Sequence, residues 1–330
     1  MTSWYGTDLQ VSKDYYIRCR YNGSLYGTSE WSDFKHFTTK AQFLPTTELT
    51  ILTASDKAVN NYFGVSVALT ADGTRMAIGS TGKDISGISD AGQVYIYTRT
   101  GSVWTEEATI TASDKAVSDQ FGRSVSLSSD GTRLAIGAQG KTVSGITVAG
   151  KVYVYTRSGS VWTEEATITA SDKAASDLFG TSVALDSTGT RMAIGAYGKD
   201  VSGIIDAGKV YIYTRSGSVW TEEATITASD KEASDLFGTS VALTADGTKL
   251  IVGAIGKDIS GISDAGKVYI YTRSGTTWIE TVTLSASDKA INNYFGMTSA
   301  LTSNESLLAI GSYGRDSEGI ANSGAVYIFY

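Results

Sequence analysis

Aspartates recur along this sequence at spacings that could bring several carboxylates into one site. One series lies in the phrase Ser-Asp-Lys and comprises Asp56, Asp114, Asp172, Asp230 and Asp288. A second series comprises Asp84, Asp200, Asp258 and Asp316, with Thr142 at the position of its missing member. Carboxylates from neighbouring loops could together bind a cation such as Ca²⁺. Loop aspartates also accept hydrogen bonds from backbone N–H groups, and we expect this capping role here.

The residues that usually carry enzyme chemistry are scarce. The single histidine, His36, and the single cysteine, Cys19, both precede the part of the chain that carries these aspartates. A histidine-based triad or a zinc site is therefore excluded there. A two-carboxylate glycosidase would need unique carboxylates, whereas these recur almost fivefold. We expect no catalytic residue, no metal site and no cofactor, with weak Ca²⁺ binding and a glycoside hydrolase as the alternatives.

Composition excludes several partners. The 330 residues carry a net charge of −7, which is unsuited to a phosphate backbone, so we expect no nucleic acid partner. No apolar run approaches the roughly 18 residues of a membrane span, so we expect no membrane insertion. One cysteine allows no intrachain disulfide. The first ten residues do not have the pattern of a signal peptide.

Internal repeats dominate the chain. Phe-Gly pairs begin at Phe63, Phe121, Phe179, Phe237 and Phe295, which are 58 residues apart. This period is too long for one coil of a β-helix and is typical of a four-stranded propeller blade. The second copy predicts strand A at 123–128, a tight Asp-Gly turn, strand B at 133–138, strand C at 150–156 and an outer strand D at 161–169.

The array opens on a strand D. Residues 46–52, "TTELTIL", match strand D but have no A, B or C before them, and the last copy ends after its strand C. If 46–52 pairs with that last strand, no edge is left unpaired. The prediction is an all-β fold in which residues 45–330 form a five-bladed β-propeller closed by this N-terminal strand. The alternative is that the segment begins there by chance.

Residues 237–275, "FGTSVALTADGTKLIVGAIGKD…AGKVYIYTRSG", resemble the FG-GAP repeats. The likeness covers 46–330 and is nearest to the bacterial and phage variety, and more distantly to the integrin α-chain propeller. The proline of Gly-Ala-Pro is absent from every copy. Integrin-type repeats imply a Ca²⁺ loop between strands A and B, but the turn "TADGT" is too short for the roughly 6–8 oxygen ligands of Ca²⁺.

Residues 1–44 differ from the repeats. The stretch "DLQVSKDYYIRCRYNGSLYGTSEWSDFKHFTT" resembles the C-terminal strands of a fibronectin type III module. Tyr16, Ile17 and Arg18 would lie on one strand and "EWSDFKHFTT" on the last. The alternative is a small β-rich leader.

In a propeller, the D-to-A and B-to-C loops share one face, here called the long-loop face. Three of its positions differ most among the copies, and rigid scaffolds carry binding residues on such loops. One position reads Thr81, Gln139, Tyr197, Ile255 and Tyr313, another Tyr62, Gln120, Leu178, Leu236 and Tyr294, and the third Val65, Arg123, Thr181, Thr239 and Met297. The candidate ligand-binding residues are Tyr62, Arg123, Gln139, Tyr197, Tyr294 and Tyr313. The alternative is that unconstrained loop positions drift.

The sequence therefore predicts a non-enzymatic binding or adhesion module. The hypothesis is a phage tail fibre or another receptor-binding appendage of a virion that recognises a host-surface glycan or protein receptor. We expect a virion or extracellular location, other fibre proteins as partners and a homo-oligomer. A secreted or surface bacterial adhesin and a structural spacer are the alternatives.

Overall fold

The computed structural model describes residues 50–302, 305–316 and 320–330, together with the segments 14–17, 22–23, 27–28 and 35–38. The chain divides into a first unit that ends at Ile51 and a second unit, Leu52–Tyr330. All regular elements of the described residues are strands. No helix in this part of the chain is long and apolar enough to cross a membrane.

The first unit contains two antiparallel pairs. Strand β1 (Asp14–Ile17) pairs with β4 (Lys35–Thr38), and β2 (Asn22–Gly23) pairs with β3 (Gly27–Thr28). Tyr16 and Ile17 lie on β1, opposite His36 and Lys35. Arg18 and most of the predicted last strand lie outside the described residues.

The second unit contains five sheets, one for each copy, and confirms the all-β, five-bladed propeller. Each sheet follows chain order from strand A at one edge towards strand D at the other, and the fifth has three strands among its described residues. Blade 1 consists of β5 Phe63–Leu69, β6 Arg75–Ser80, β7 Gln93–Thr100 and β8 Val103–Ile110, and blade 2 of β9 Phe121–Leu127, β10 Arg133–Ala138, β11 Lys151–Ser158 and β12 Val161–Ile168. Blade 3 consists of β13 Ser182–Leu185, β14 Arg191–Ala196, β15 Lys209–Ser216 and β16 Val219–Ile226, and blade 4 of β17 Phe237–Leu243, β18 Lys249–Ala254, β19 Lys267–Ser274 and β20 Thr277–Leu284. Blade 5 consists of β21 Thr298–Leu301, β22 Leu308–Ser312 and β23 Ala325–Phe329.

The cores lie between successive blades. In strand C of blade 2, Val152 to Tyr155 are all buried, as expected for a strand covered on both faces. The Phe of the second Phe-Gly pair lies in such a core: Phe121 is fully buried and meets Tyr153 edge to face, with ring centroids 5.2 Å apart. Its cluster includes Val94 and Ile96 of the preceding blade. The repeated Phe therefore fastens blades 2 to 5 to the blade before, whereas Phe63 of blade 1 packs within its own blade and is half-buried.

A close backbone approach sets the distance between blades. A Cβ placed on Gly137 of strand B would lie 1.9 Å from the carbonyl oxygen of Gly180 in the next blade. Ser124 Oγ donates a hydrogen bond to the same oxygen at 2.9 Å. This explains the Gly of the degenerate Gly-Ala-Pro position in blades 1 to 4, whereas the equivalent Gly311 of blade 5 meets Thr298 of its own blade.

The two end blades each present an apolar face to solvent. Val67 and Leu69 of blade 1 are both 54% exposed, whereas their equivalents Val125 and Leu127 are 8% exposed. Val326 of blade 5 is 66% exposed. No core cluster of the described residues joins blade 5 to blade 1.

The predicted closing strand falls only partly within the described residues. Residues 46–49 lie outside them, and 50–52 belong to no strand. Leu52 and the buried Ala54 pack on Tyr95 and Tyr97 of blade 1. Their equivalents Ile110 and Ala112 lie in the corresponding cluster of blade 2, so the chain enters blade 1 as each strand D enters the blade that follows it.

Candidate functional site

The long loops share one face of the propeller, as predicted. The D-to-A loop that leads into blade 2 bonds to the B-to-C loop of blade 1, through Ser118 N–H to Ser89 O at 2.9 Å and Gln120 N–H to Asp90 O at 3.1 Å. The A-to-B turns form a separate chain of backbone bonds, in which Ser129 N–H donates to Ser187 O at 2.9 Å. The variable loops are thus held by backbone contacts that do not depend on their side chains.

The three variable positions of a copy meet within its blade. In blade 2, Arg123 Nε donates to Gln139 Oε1 at 3.2 Å, and Gln139 Nε2 donates to Gln120 Oε1 at 2.8 Å. In blade 5, the rings of Tyr294 and Tyr313 stack with centroids 5.0 Å apart and planes 8° apart. The structure therefore joins Arg123 to Gln139, and Tyr294 to Tyr313, whereas Tyr62 and Tyr197 lie in blades 1 and 3.

A glycine brings these positions together. A Cβ on Gly314 would lie 2.0 Å from the carbonyl oxygen of Asn292, so the B-to-C loop can approach the D-to-A loop only with glycine here. Gly140 meets Ser118 in the same way in blade 2. The residue before each such glycine, Tyr313 or Gln139, is consequently set beside the residue before Phe-Gly.

The residue before Phe-Gly has a left-handed backbone conformation in every copy. These residues have φ values of +54° to +58° and are Tyr62, Gln120, Leu178, Leu236 and Tyr294. Glycine or asparagine would take this conformation at lower cost, and a bulky residue there is unusual. Strained non-glycine residues cluster at functional sites. No copy has glycine at this position.

Exposure differs among the candidates. Tyr62 is 62% exposed and Tyr313 is 53% exposed, whereas Arg123, Gln139, Tyr197 and Tyr294 are half-buried. Partial burial, with Tyr294 and Asp264 nearby, raises the pKa of Tyr313. Its hydroxyl is therefore protonated at neutral pH and can donate a hydrogen bond to a ligand.

Two further residues belong to these groups. Gln120 is bonded to Gln139, and Met297 and Tyr313 line one shallow pocket. Gln120 and Met297 both occupy variable positions, and that variability is the signal that could have added them to the candidates.

The Ser-Asp-Lys aspartates are anchored differently from the prediction. Asp114 accepts a hydrogen bond from the Tyr153 hydroxyl at 2.5 Å and forms an ion pair with Lys151 at 2.8 Å. Burial tends to raise the pKa of Asp114, but the hydrogen bonds of Lys151 and Tyr153 outweigh it and lower the pKa to about 2. The expected backbone capping was thus wrong as an account of this series, because side chains of strand C are its main partners.

The other aspartates do cap loops, as predicted. Asp84 Oδ1 accepts the N–H of Asp90 at 2.9 Å, and Asp200, Asp258 and Asp316 make the equivalent bond six residues on. Asp119, just before Phe-Gly, accepts the N–H of Ala116 at 2.6 Å and pairs with the buried Lys141 at 2.9 Å. Within the described residues, no group of three or more acidic, His or Cys side chains is arranged to hold a metal ion.

A family model for the FG-GAP repeat matches residues 46–97, 104–155, 162–213, 220–271 and 278–329. The chain belongs to the FG-GAP repeat family, whose β-propellers typically serve as non-catalytic binding folds. Each matched segment from the second onward runs from strand D of one blade through strand C of the next, which explains why the array opens on a strand D. No curated protein is significantly similar to the chain.

Proposed function

We propose that the propeller is a non-enzymatic module that attaches to a surface glycan or protein through its long-loop face. The observation that carries this proposal is the left-handed residue before Phe-Gly, which is never glycine and differs among the copies. The left-handed backbone favours glycine at this position, so a side chain that is present there in every copy indicates a functional role for that side chain.

The chemistry of the face supports a carbohydrate or protein surface as the ligand. Tyr294 and Tyr313 form a stacked pair with an exposed member, and Gln120, Gln139 and Arg123 add amide and guanidinium groups. Aromatic faces pack against apolar surfaces while their polar ends hydrogen-bond. Tyr and Arg are also enriched among residues that dominate binding energy.

The biological setting we propose is a phage tail fibre or a similar receptor-binding appendage. The propeller would meet a host-surface receptor or glycan, and the first unit, which resembles part of a fibronectin type III module, would join it to other fibre proteins. This setting is consistent with a virion or extracellular location and a homo-oligomer. The resemblance of the repeats to the bacterial and phage variety motivates this setting, and the net charge of −7 is unsuited to nucleic acid.

The test is attachment of the Tyr294→Ala/Tyr313→Ala variant to whole cells and to a glycan array. Loss of two anchors should weaken attachment about tenfold or more, at about 1.4 kcal/mol for each factor of ten. The matched control is Val161→Ala/Val219→Ala, because both valines are 63% exposed at C-to-D turns on the other face. Unchanged attachment of the tyrosine variant, or an equal loss in the valine variant, would contradict the proposal.

A further inference from the structure

Arg123 lies on the long-loop face with its guanidinium only partly engaged. Its Nε donates to Gln139 Oε1 at 3.2 Å, and its Nη atoms have no hydrogen-bond or ion-pair partner among the described residues. Arg315, on the same face in blade 5, is instead bonded through Nε to Asp288 at 2.7 Å. Arg123 is half-buried, and blades 1 and 3 flank its blade, so this group lies at neither end of the array.

The side chains beside Arg123 are oriented by it. Arg123 Nε can only donate, so the Gln139 amide must present its oxygen to it. Gln139 Nε2 then donates to Gln120 Oε1 at 2.8 Å. Both amide oxygens are thus engaged within this relay of Arg123, Gln139 and Gln120. The groups that remain for a ligand are N–H donors, namely the Nη atoms of Arg123 and Nε2 of Gln120.

Backbone contacts hold the relay in place. Gln120 N–H donates to Asp90 O at 3.1 Å, and Arg123 N–H donates to Gln120 O at 3.1 Å. Gln139 is set beside Gln120 because Gly140 permits the close approach of the two loops. The donors are therefore positioned before a ligand arrives, which lowers the entropic cost of binding.

Among the described copies, only blade 2 has long polar side chains at all three variable positions. Blade 3 has Leu178, Tyr197 and Thr181 there, and blade 4 has Leu236, Ile255 and Thr239. Thr239 Oγ1 donates to the backbone oxygen of Leu236 at 2.7 Å, within its own loop. The set of free donors is therefore a property of blade 2 and not of the repeat.

The donors and their surroundings define the ligand. Arginine forms two parallel hydrogen bonds with a carboxylate, and such charge-assisted bonds are about twice as strong as neutral ones. The neighbouring loop of blade 1 carries Asp84 and Asp90, so a ligand with several adjacent negative charges would be repelled. Protein interfaces have largely apolar cores, whereas these three side chains are all polar. A hydroxyl-rich ring with one carboxylate satisfies these conditions.

We propose that Arg123 and Gln120 bind the single carboxylate of an acidic sugar, a uronic or a sialic acid, within a surface glycan. Arg123 forms the paired bonds to the carboxylate, Gln120 Nε2 donates to an oxygen beside them, and Gln139 is a positioning residue that holds Arg123. This assignment rests on the proposed function of the long-loop face and names the class of sugar that blade 2 recognises.

The test is a titration of the full chain, followed by saturation-transfer NMR, with methyl β-D-glucuronide and with sialyllactose. These two sugars separate a uronic from a sialic acid, and methyl β-D-glucoside and lactose are their neutral counterparts. We expect saturable binding of at least one acidic sugar, and binding of its neutral counterpart that is about tenfold or more weaker. No saturable binding of either acidic sugar, or equal binding of the neutral ones, would overturn the proposal. Equally tight binding of the peptide acetyl-Gly-Glu-Gly-amide would overturn the assignment to a sugar.

Two substitutions locate the binding. Arg123→Thr introduces the residue that blades 3 and 4 have at this position, so its thermal unfolding midpoint should stay within a few degrees of that of the parent. It should weaken binding of the acidic sugar about tenfold or more. Gln139→Glu places a carboxylate against Arg123 and should weaken binding to a similar extent, because it neutralises the guanidinium and repels the ligand.

The matched control is Lys115→Thr, which removes one positive charge from the loop that carries Gln120 and leaves the relay intact. Equal weakening in Lys115→Thr, or unchanged binding in Arg123→Thr, would contradict the assignment. The sugar titration does not depend on the tyrosines whose loss tests attachment to cells. Attachment of the parent to cells without discrimination between acidic and neutral sugars would overturn this inference and leave the proposed function standing.

Discussion

The buried ion pair between Asp177 and Lys199 should stabilise blade 3 by an amount that mutation can isolate. Asp177 Oδ2 lies 3.1 Å from Lys199 Nζ, and their side chains are 2% and 8% exposed. The same oxygen accepts the N–H of Ala174 at 2.6 Å. Asparagine retains an acceptor for this N–H and removes only the charge. The equivalent positions in blades 1 and 5 are Asn61 and Asn293, so the backbone tolerates an amide here.

The expected magnitude follows from what each substitution leaves behind. Removing one partner of a buried pair costs about 3–5 kcal/mol. Lys199 would keep the backbone carbonyl of Asp172 and the partly exposed Asp172 carboxylate, which is 3.8 Å away. We therefore expect Asp177→Asn to lower the free energy of unfolding by about 2 kcal/mol. Lys199→Met leaves the buried carboxylate without its cation and should cost about 3–4 kcal/mol.

The assay is urea unfolding followed by tryptophan fluorescence, on both single variants and on Asp177→Asn/Lys199→Met. Because the double variant has neither charge, it should be more stable than Lys199→Met alone, which corresponds to a coupling free energy of more than about 2 kcal/mol. If Asp177→Asn unfolds within about 0.5 kcal/mol of the parent, or if the two losses simply add, the pair does not stabilise the blade and the reasoning is wrong.

Three further perturbations test the acid stability, the blade spacing and the strained loop position. The pKa of Asp114 is about 2 in the folded protein and its ordinary value is 3.8, so the stabilisation by its carboxylate is present above pH 3.8 and disappears as the pH falls through 2. In thermal melts from pH 5 to pH 2, the melting temperature of Asp114→Asn should therefore fall less with acid than that of the parent. Gly195→Ala should cost about 3 kcal/mol or more, since its Cβ would lie 2.0 Å from Gly238 O. Gly217→Ala should cost only about 1–2 kcal/mol, because Gly217 has φ +63° and open space, and equal melting temperatures would contradict the close approach. Tyr62→Asn should raise the free energy of unfolding by about 1 kcal/mol, because φ is +54° and the side chain is 62% exposed. A lower urea midpoint than that of the parent would show instead that packing of the Tyr62 ring stabilises the fold.

Much of the architecture could be predicted because it depends on local patterns. The 58-residue period defined the blades, and alternating apolar residues located strands such as Arg133–Ala138, whose observed bounds equal the predicted ones. The Asp-Gly turns and the order of strands placed both long loops on one face. Strand pairing within a blade joins neighbours in sequence, so turn chemistry and side-chain alternation were sufficient to specify it.

The site was only partly predictable, since its contacts span two loops. Variability identified Tyr294 and Tyr313, but nothing in the sequence indicated that their rings stack or that the residue before Phe-Gly has positive φ. The partner of Asp114 was also missed, because Tyr153 lies 39 residues away, on the predicted strand C.

What the sequence by itself determined is the number of blades, their strands and the face on which the loops lie, because periodicity and turns are read within one copy. The tertiary structure decided which side chains meet and which glycines are required. These properties depend on the distance between backbones of neighbouring blades, as at Gly137 and Gly180. Close packing makes that distance a property of all the contacts across an interface together, and no single repeat contains both of its sides.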